Sequence, residues 1–247
     1  MEKTQELTFM GHLKELRSII FKIVISLLIA MPISFYIVYY LDVFKYLKKP
    51  AIDKFPDLPI IFTEPTEMIA TYIKVTLLLA LVLALPYIAY QIVMFVRPAL
   101  SNKERAYVYT MLPSITICFL LGAAFAYFIL LPPAFNFMFS FGGDIAEPMI
   151  KVGKYISLLT TLMMWIGLVF EIPIVLFFLT KIGVIKPEWL TKYRKFFYIG
   201  AFILGAMITP TIDPINQALV AIPIIFLYEI GILLSKLAAR SKKKTQT

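Results

Sequence analysis

The chain is poor in reactive side chains. Its 247 residues include one cysteine, Cys118, and one histidine, His12. A lone cysteine excludes an internal disulfide framework and a Cys-rich metal site. A lone histidine excludes a multi-His metal site and argues against Ser–His nucleophilic chemistry. There is no G-x-S-x-G, no H-E-x-x-H and no phosphate-binding Gly-rich loop, and the acids are scattered over separate segments. No enzyme, metal or cofactor is expected. Charge is also scarce, at 16% of residues, and no polar stretch is long enough to be a soluble domain. No internal repeat is visible, which counts against an inverted-repeat transporter. The first 17 residues are polar, so no cleaved signal peptide is expected.

Apolar residues are what the chain has in excess. They make up 60% of it, with a mean hydropathy of +0.85, against ~45–50% in soluble domains. This composition reads as an all-α integral membrane protein with a single polytopic domain over 1–247. Six apolar runs are expected to span: 19–40, 68–94, 108–131, 155–180, 196–208 and 217–234. The fifth and sixth look short against ~30 Å of hydrocarbon at about 1.5 Å per residue. Leu7, Met10, Leu13 and Leu16 share one face, which predicts a separate surface helix before the first span. The piece 135–141, FNFMFSF, is too short to cross and is expected to cap one face.

Loop cations set the expected topology. Segments 1–18, 95–107, 181–195 and 235–247 carry 16 Lys and Arg, while the alternate segments 41–67, 132–154 and 209–216 carry 6. Both termini are therefore expected in the cytoplasm. The net charge of +9 then reflects membrane orientation and not nucleic-acid binding. Pro32, Pro86, Pro113, Pro173 and Pro223 fall inside spans. Proline frees a carbonyl and bends a membrane helix, so several kinked helices forming a concave bundle are expected.

Few polar residues break this pattern. Glu104 lies in the turn FVRPALSNKER, 95–105, beside Lys103 and Arg105. From the turn alone it is either a solvated loop acid or a ligand for a cation. Glu171 lies inside the fourth run, two residues before Pro173. An acid at that depth costs several kcal/mol unless paired or wet, which favours a cavity-facing role over an interhelical hydrogen bond. Glu229 lies nearer the end of its run, where it could reach Lys236 or the interface, and is either structural or functional. Asp213, in TPTIDPINQ, shapes a turn or serves a function there. Thr209 and Gln217 flank that turn and could bond a partner helix in lipid. Glu15, in HLKELR, reads alone as a helix-surface acid.

Taken together, the motifs carry a resemblance. HLKELR (12–17), FVRPALSNKER (95–105), FAYF (125–128) followed by PPAFNF, FEIPI (170–174), GAFILGAMITP (200–210) and QALVAIP with YEIG (217–231) occur in that order. The chain resembles the TatC family of twin-arginine protein translocases along essentially its whole length. The resemblance implies a receptor in a bacterial-type cytoplasmic (inner) membrane. Such a receptor binds twin-arginine signal peptides of folded cargo, assembles with single-span TatA- and TatB-type subunits and with copies of itself, and works with the proton-motive force. It also implies roles: Glu15 and Glu104 contact the arginine pair, Arg17 and Phe95 support that site, Glu171 faces the concavity, and Thr209 and Gln217 belong to a partner-helix site. The chemistry suits this, because planar guanidinium docks bidentately on carboxylate and two arginines need two acceptors. The rival reading is a proton-coupled small-solute transporter with Glu171 and Lys74 as a relay.

Overall fold

Long apolar runs with few breakers leave the backbone no alternative in lipid to closing its hydrogen bonds within helices. The computed structural model describes residues 9–52, 59–96, 102–140, 149–209 and 213–244. They form α1 (Phe9–Tyr40), α2 (Val43–Ile52), β1 (Ile60–Ile61), α3 (Pro65–Val96), α4 (Asn102–Phe125), α5 (Leu131–Ser140), β2 (Ile150–Lys151), α6 (Val152–Val169), α7 (Ile172–Ile182), α8 (Pro187–Lys192), α9 (Arg194–Ile208) and α10 (Pro214–Lys244). A single π-helical turn, Ala126–Leu130, joins α4 to α5. Among the described residues, five stretches are long and apolar enough to cross a membrane: Leu13–Tyr40, Pro65–Phe95, Met111–Met138, Val152–Ile182 and Pro214–Arg240.

Several boundaries differ from the sequence expectation, for local reasons. The surface helix expected before the first span is not separate. It runs on into that span as the start of α1, since no glycine or proline lies between Lys14 and Ala30. The sixth run continues to Lys244 in α10, because the cationic residues beyond it are good helix formers and suit a helix C-terminus. Shortness therefore belongs to α9 alone, whose 15 residues reach about 22 Å. The fourth run is split. α6 ends at Val169 and α7 begins at Ile172, because Pro173 has no N–H to give Val169. Pro32, Pro86, Pro113 and Pro223 lie within continuous helices.

α1 and α3 pack antiparallel through small residues. Ala30 meets Ala80 and Ala84, with Ser34 and Thr76 buried on the same faces, a small-residue seam of the kind membrane helices use. Near the other end of the seam, Phe35 lies 6.4 Å from Tyr72. The main core joins α3, α6 and α10 around Val75, Ile156, Ile166 and Ile224. It continues into one end of the bundle. There the Tyr155 hydroxyl donates to the Leu47 carbonyl at 2.9 Å, Phe135 stacks on Tyr155 at 4.8 Å, and β1 pairs in parallel with β2. The 135–140 piece is thus part of α5, packed by Phe135 against α6. Large apolar side chains such as Phe21, Ile29, Phe128 and Phe196 are exposed, as expected of faces meeting lipid tails.

Candidate functional site

The α1–α3 register sets the first group of residues. Ala30 lies opposite Ala80 and Ala84. Moving 15 residues toward the start of α1, about 22 Å, brings Glu15 level with the end of α3. Glu15 is half-buried there and Arg17 is exposed. Phe95 is half-buried in the last turn of α3 and is engaged by neighbours. Glu104 falls in the first turn of α4; its side chain, and residues 97–101 of the turn before it, lie outside the described residues. His12 is likewise outside the described side chains.

The second feature is the break between α6 and α7. Phe170 N–H donates to Ile166 O at 3.0 Å and Glu171 N–H to Leu168 O at 3.1 Å, after which Val175 N–H takes up Glu171 O at 2.9 Å. The chain tightens for one turn and restarts. Glu171 stands at this restart beside α4, next to Cys118 and the Phe119 backbone. Both its carboxylate oxygens are buried, and neither has a hydrogen-bond partner among the described residues. α4 and α6 approach closely just beside it. A Cβ on Gly122 would sit 2.8 Å from Ile166 O and 2.9 Å from the Gly167 Cα, so a side chain there would force the helices apart.

Glu229 has the opposite environment. The Arg194 guanidinium donates to its Oε2 at 2.7 Å and the Tyr198 hydroxyl to its Oε1 at 2.6 Å. The reach to Lys236 is not made. Lys236 is on the same helix, whereas Arg194 and Tyr198 come from α9, which crosses α10 closely. A Cβ on Gly205 of α9 would lie 2.9 Å from Gln217 O. Beside Glu229, Phe197 stacks on Tyr228 at 3.7 Å, and Tyr228 donates to Leu190 O at 2.8 Å.

The far end of this pair carries the remaining candidates. Asp213 caps α10, with its Oδ1 accepting from Asn216 N–H at 2.7 Å and its Oδ2 from Asn216 Nδ2 at 3.0 Å. Gln217 Nε2 donates to Phe202 O at 2.9 Å, and Thr209 Oγ1 donates to Gly205 O at 2.9 Å. Both side chains thus have partners inside the chain. Thr209 is buried and Gln217 half-buried.

The relay of the rival reading is not assembled. Lys74 donates to Ser157 Oγ at 3.2 Å, and Ser157 is 14 residues before Glu171, about 20 Å along a helix. Among the described residues no group of three metal-ligating side chains occurs.

One residue was not singled out from sequence. Glu67, in the first turn of α3, accepts from Thr63 N–H at 2.9 Å and from Gly153 N–H at 2.8 Å. It fastens the segment before α3 to the start of α6. The local half of this was readable, since Pro65 followed by Glu67 is a helix-start pattern in which an acid reaches back to an upstream N–H. The Gly153 half lies 86 residues away and has no local signal.

Comparisons with known proteins bear on this arrangement. Residues 11–223 match the family model described as Sec-independent protein translocase protein (TatC). The chain is 43% identical to the Sec-independent protein translocase protein TatC of Aquifex aeolicus, over 95% of this chain and 97% of that one. It is 38% identical to the protein of the same name from Carboxydothermus hydrogenoformans, over 93% of each. With that of Escherichia coli K12 it shares 34% identity, over 96% of this chain and 90% of the other. Its fold is similar to a crystal structure of the twin-arginine translocase receptor TatC, with a TM-score of 0.82 and 41% identity, covering 92% of this chain and 99% of that one. A second crystal structure of that receptor, in the detergent DDM, matches with a TM-score of 0.82 at 42% identity, over 91% of this chain and 99% of the other. Five apolar helices of spanning length, the shared architecture and near full-length identity lead to one statement: the chain is a multi-pass membrane protein that belongs to the Sec-independent protein translocase TatC family.

Proposed function

We propose that this protein is the receptor subunit of a twin-arginine protein translocase. It binds signal peptides of folded cargo at the cytoplasmic face of the bacterial inner membrane. Glu15 and Glu104 accept the two guanidinium groups, and Arg17 and Phe95 border the site. The supporting observation is the α1–α3 register, which brings Glu15 level with the end of α3, from which the chain turns to Glu104. A carboxylate pair among 16 loop cations rewards a basic ligand only if it reaches both acids, since guanidinium–carboxylate bonding is directional.

In this reading six helices span, α9 joining the five long ones despite its length, and both termini are cytoplasmic. Kinked helices enclose a concavity that Glu171 faces. Single-span TatA- and TatB-type subunits dock along the α9–α10 edge near Thr209 and Gln217. Because both side chains already have partners in the chain, docking there exchanges existing bonds for new ones. Copies of the receptor associate in the working complex, which the proton-motive force drives, and membrane lipids surround it.

The test is binding of a twin-arginine peptide to the purified protein. Glu104→Gln keeps the size and removes the charge, and truncating a desolvated charge pair costs about 2–5 kcal/mol. Affinity should fall at least about tenfold in Glu104→Gln and in Glu15→Gln, with membrane insertion unchanged. Wild-type affinity in both variants would overturn the assignment.

A further inference from the structure

Where α10 leaves its apolar run, its exposed face changes character within two turns. Leu233, Lys236, Leu237 and Arg240 are all exposed, and their spacing of three and four residues puts them on one side of the helix. Leucines and cations thus alternate along a single stripe. Facing it is α8, which contributes Glu188, Thr191 and Lys192. Between the two helices lies an open groove of about 690 Å³ lined by these three residues and Pro187, with Lys236, Ala239 and Arg240 opposite.

The charge in this groove is unbalanced, with three cations against one acid. Among the described residues the one ion pair is Arg194–Glu229, and Lys192, Lys236 and Arg240 have no carboxylate partner there. The Lys192 ammonium lies 5.8 Å from the centroid of the Tyr193 ring. Two aromatic side chains, Trp189 and Tyr193, stand exposed on the same short segment, as is common at the boundary between hydrocarbon and headgroups. An occupant of the groove meets positive charge, and one that extends past its lining along the α10 stripe then meets exposed Leu237 and Leu233. A soluble anion would use only the first. A lipid with an anionic headgroup uses both, and basic pockets between helices at a membrane face suit such headgroups.

We propose that the groove between α8 and α10 holds an anionic phospholipid, its phosphate on Lys192, Lys236 and Arg240 and an acyl chain along Leu233 and Leu237. Thr191 can donate to a phosphate oxygen. Glu188 favours a headgroup that also presents hydroxyl donors, such as glycerol. The lipid would add a second tie between α8 and α10 to the one by which Tyr228 already holds Leu190.

The full chain, delipidated in detergent, is titrated with phosphatidylglycerol, with phosphatidylcholine of the same chains, and with inorganic phosphate, while bound lipid is counted by native mass spectrometry. Phosphatidylglycerol should bind at least tenfold tighter than phosphatidylcholine. A cation near an anionic lipid surface contributes a factor of about five, so Lys236→Gln with Arg240→Gln should lower phosphatidylglycerol affinity about 25-fold. The control Lys45→Gln with Lys49→Gln, on α2, should leave it unchanged. Twin-arginine peptide affinity should be the same in the two double variants, which separates this site from the Glu15–Glu104 reading. Equal binding of the two lipids, or full retention by Lys236→Gln/Arg240→Gln, would overturn the proposal. Displacement of the lipid by inorganic phosphate alone would also overturn it, showing a site for the free anion.

Discussion

Glu171 and Glu229 each place a carboxyl group inside an apolar stretch, and their surroundings differ at every point. Glu229 is met by a guanidinium and a phenol from the neighbouring helix, beside a stacked aromatic pair. Its charge is compensated and its two oxygens are used. Glu171 stands at a helix break with both oxygens buried and unpartnered among the described residues. The first arrangement holds α9 to α10. The second adds nothing to stability, since burying a polar group without a partner costs free energy. A residue that destabilises its own fold needs another reason to be there. The α6–α7 break is therefore the more informative of the two places for function, and the α9–α10 clip the more informative for folding.

The largest effect is expected at the clip. Glu229→Leu leaves Arg194 without its partner. Losing hydrogen bonds to a charged group costs about 1.5–3 kcal/mol, and the partial exposure of both side chains, 38% and 31%, puts the expected loss near the lower end. Thermal unfolding in detergent measures it. The double variant Arg194→Met/Glu229→Leu should recover most of that loss, because replacing both partners with apolar groups removes the stranded charge. If the double variant is as unstable as the single one, the clip works through packing and not through charge.

The break should respond in the other direction. Glu171→Leu removes two unpartnered oxygens and should hold or raise stability, by up to about 1 kcal/mol, while cargo transport falls and twin-arginine peptide binding stays at wild-type level. A loss of stability equal to that of Glu229→Leu would erase the contrast between the two acids. The contrast is sharpened by Glu171→Cys in a Cys118→Ala background. If the break faces a wet cavity, a thiol reagent that needs water should label position 171 and spare the exposed, lipid-facing position 168.

The smallest effect is at the cap of α10. Asp213→Ala removes two accepted bonds at a helix start, worth about 1 kcal/mol, and should lower the melting temperature without changing peptide binding. Asp213→Asn should restore most of it, since asparagine caps as well as aspartate. A transport defect in Asp213→Asn with stability intact would give the turn a role beyond capping.

Much of this architecture is set by local composition. Apolar runs of spanning length can only be helices in lipid, so the helices were legible from hydropathy. A kink at Pro173 was legible because proline has no N–H to donate, but the full break there was not, since Pro32, Pro86, Pro113 and Pro223 lie within continuous helices. Glu171 stood out because an acid is rare at that depth. The ends of α1 and α10 were not legible from hydropathy, which tracks the bilayer and not the helix: a helix continues into water wherever no residue stops it. Glu15 and Glu104 were legible only as two acids near the ends of apolar runs, and the TatC-like motifs around them were what suggested a joint role.

The sequence by itself determined that the chain is helical and membrane-embedded, because these follow from which residue types are present and how they are spaced. Tertiary structure alone decided who meets whom. Glu229 pairs with Arg194, 35 residues away, and not with Lys236 on its own helix, because Gly205 lets α9 and α10 approach. Gly153 gives its N–H to Glu67 across 86 residues, and Glu15 is brought level with the end of α3 by a seam of alanines. Each of these depends on the distance and register between two helices. Those are fixed by small residues on both packed faces at once, and one stretch of sequence records only one of those faces.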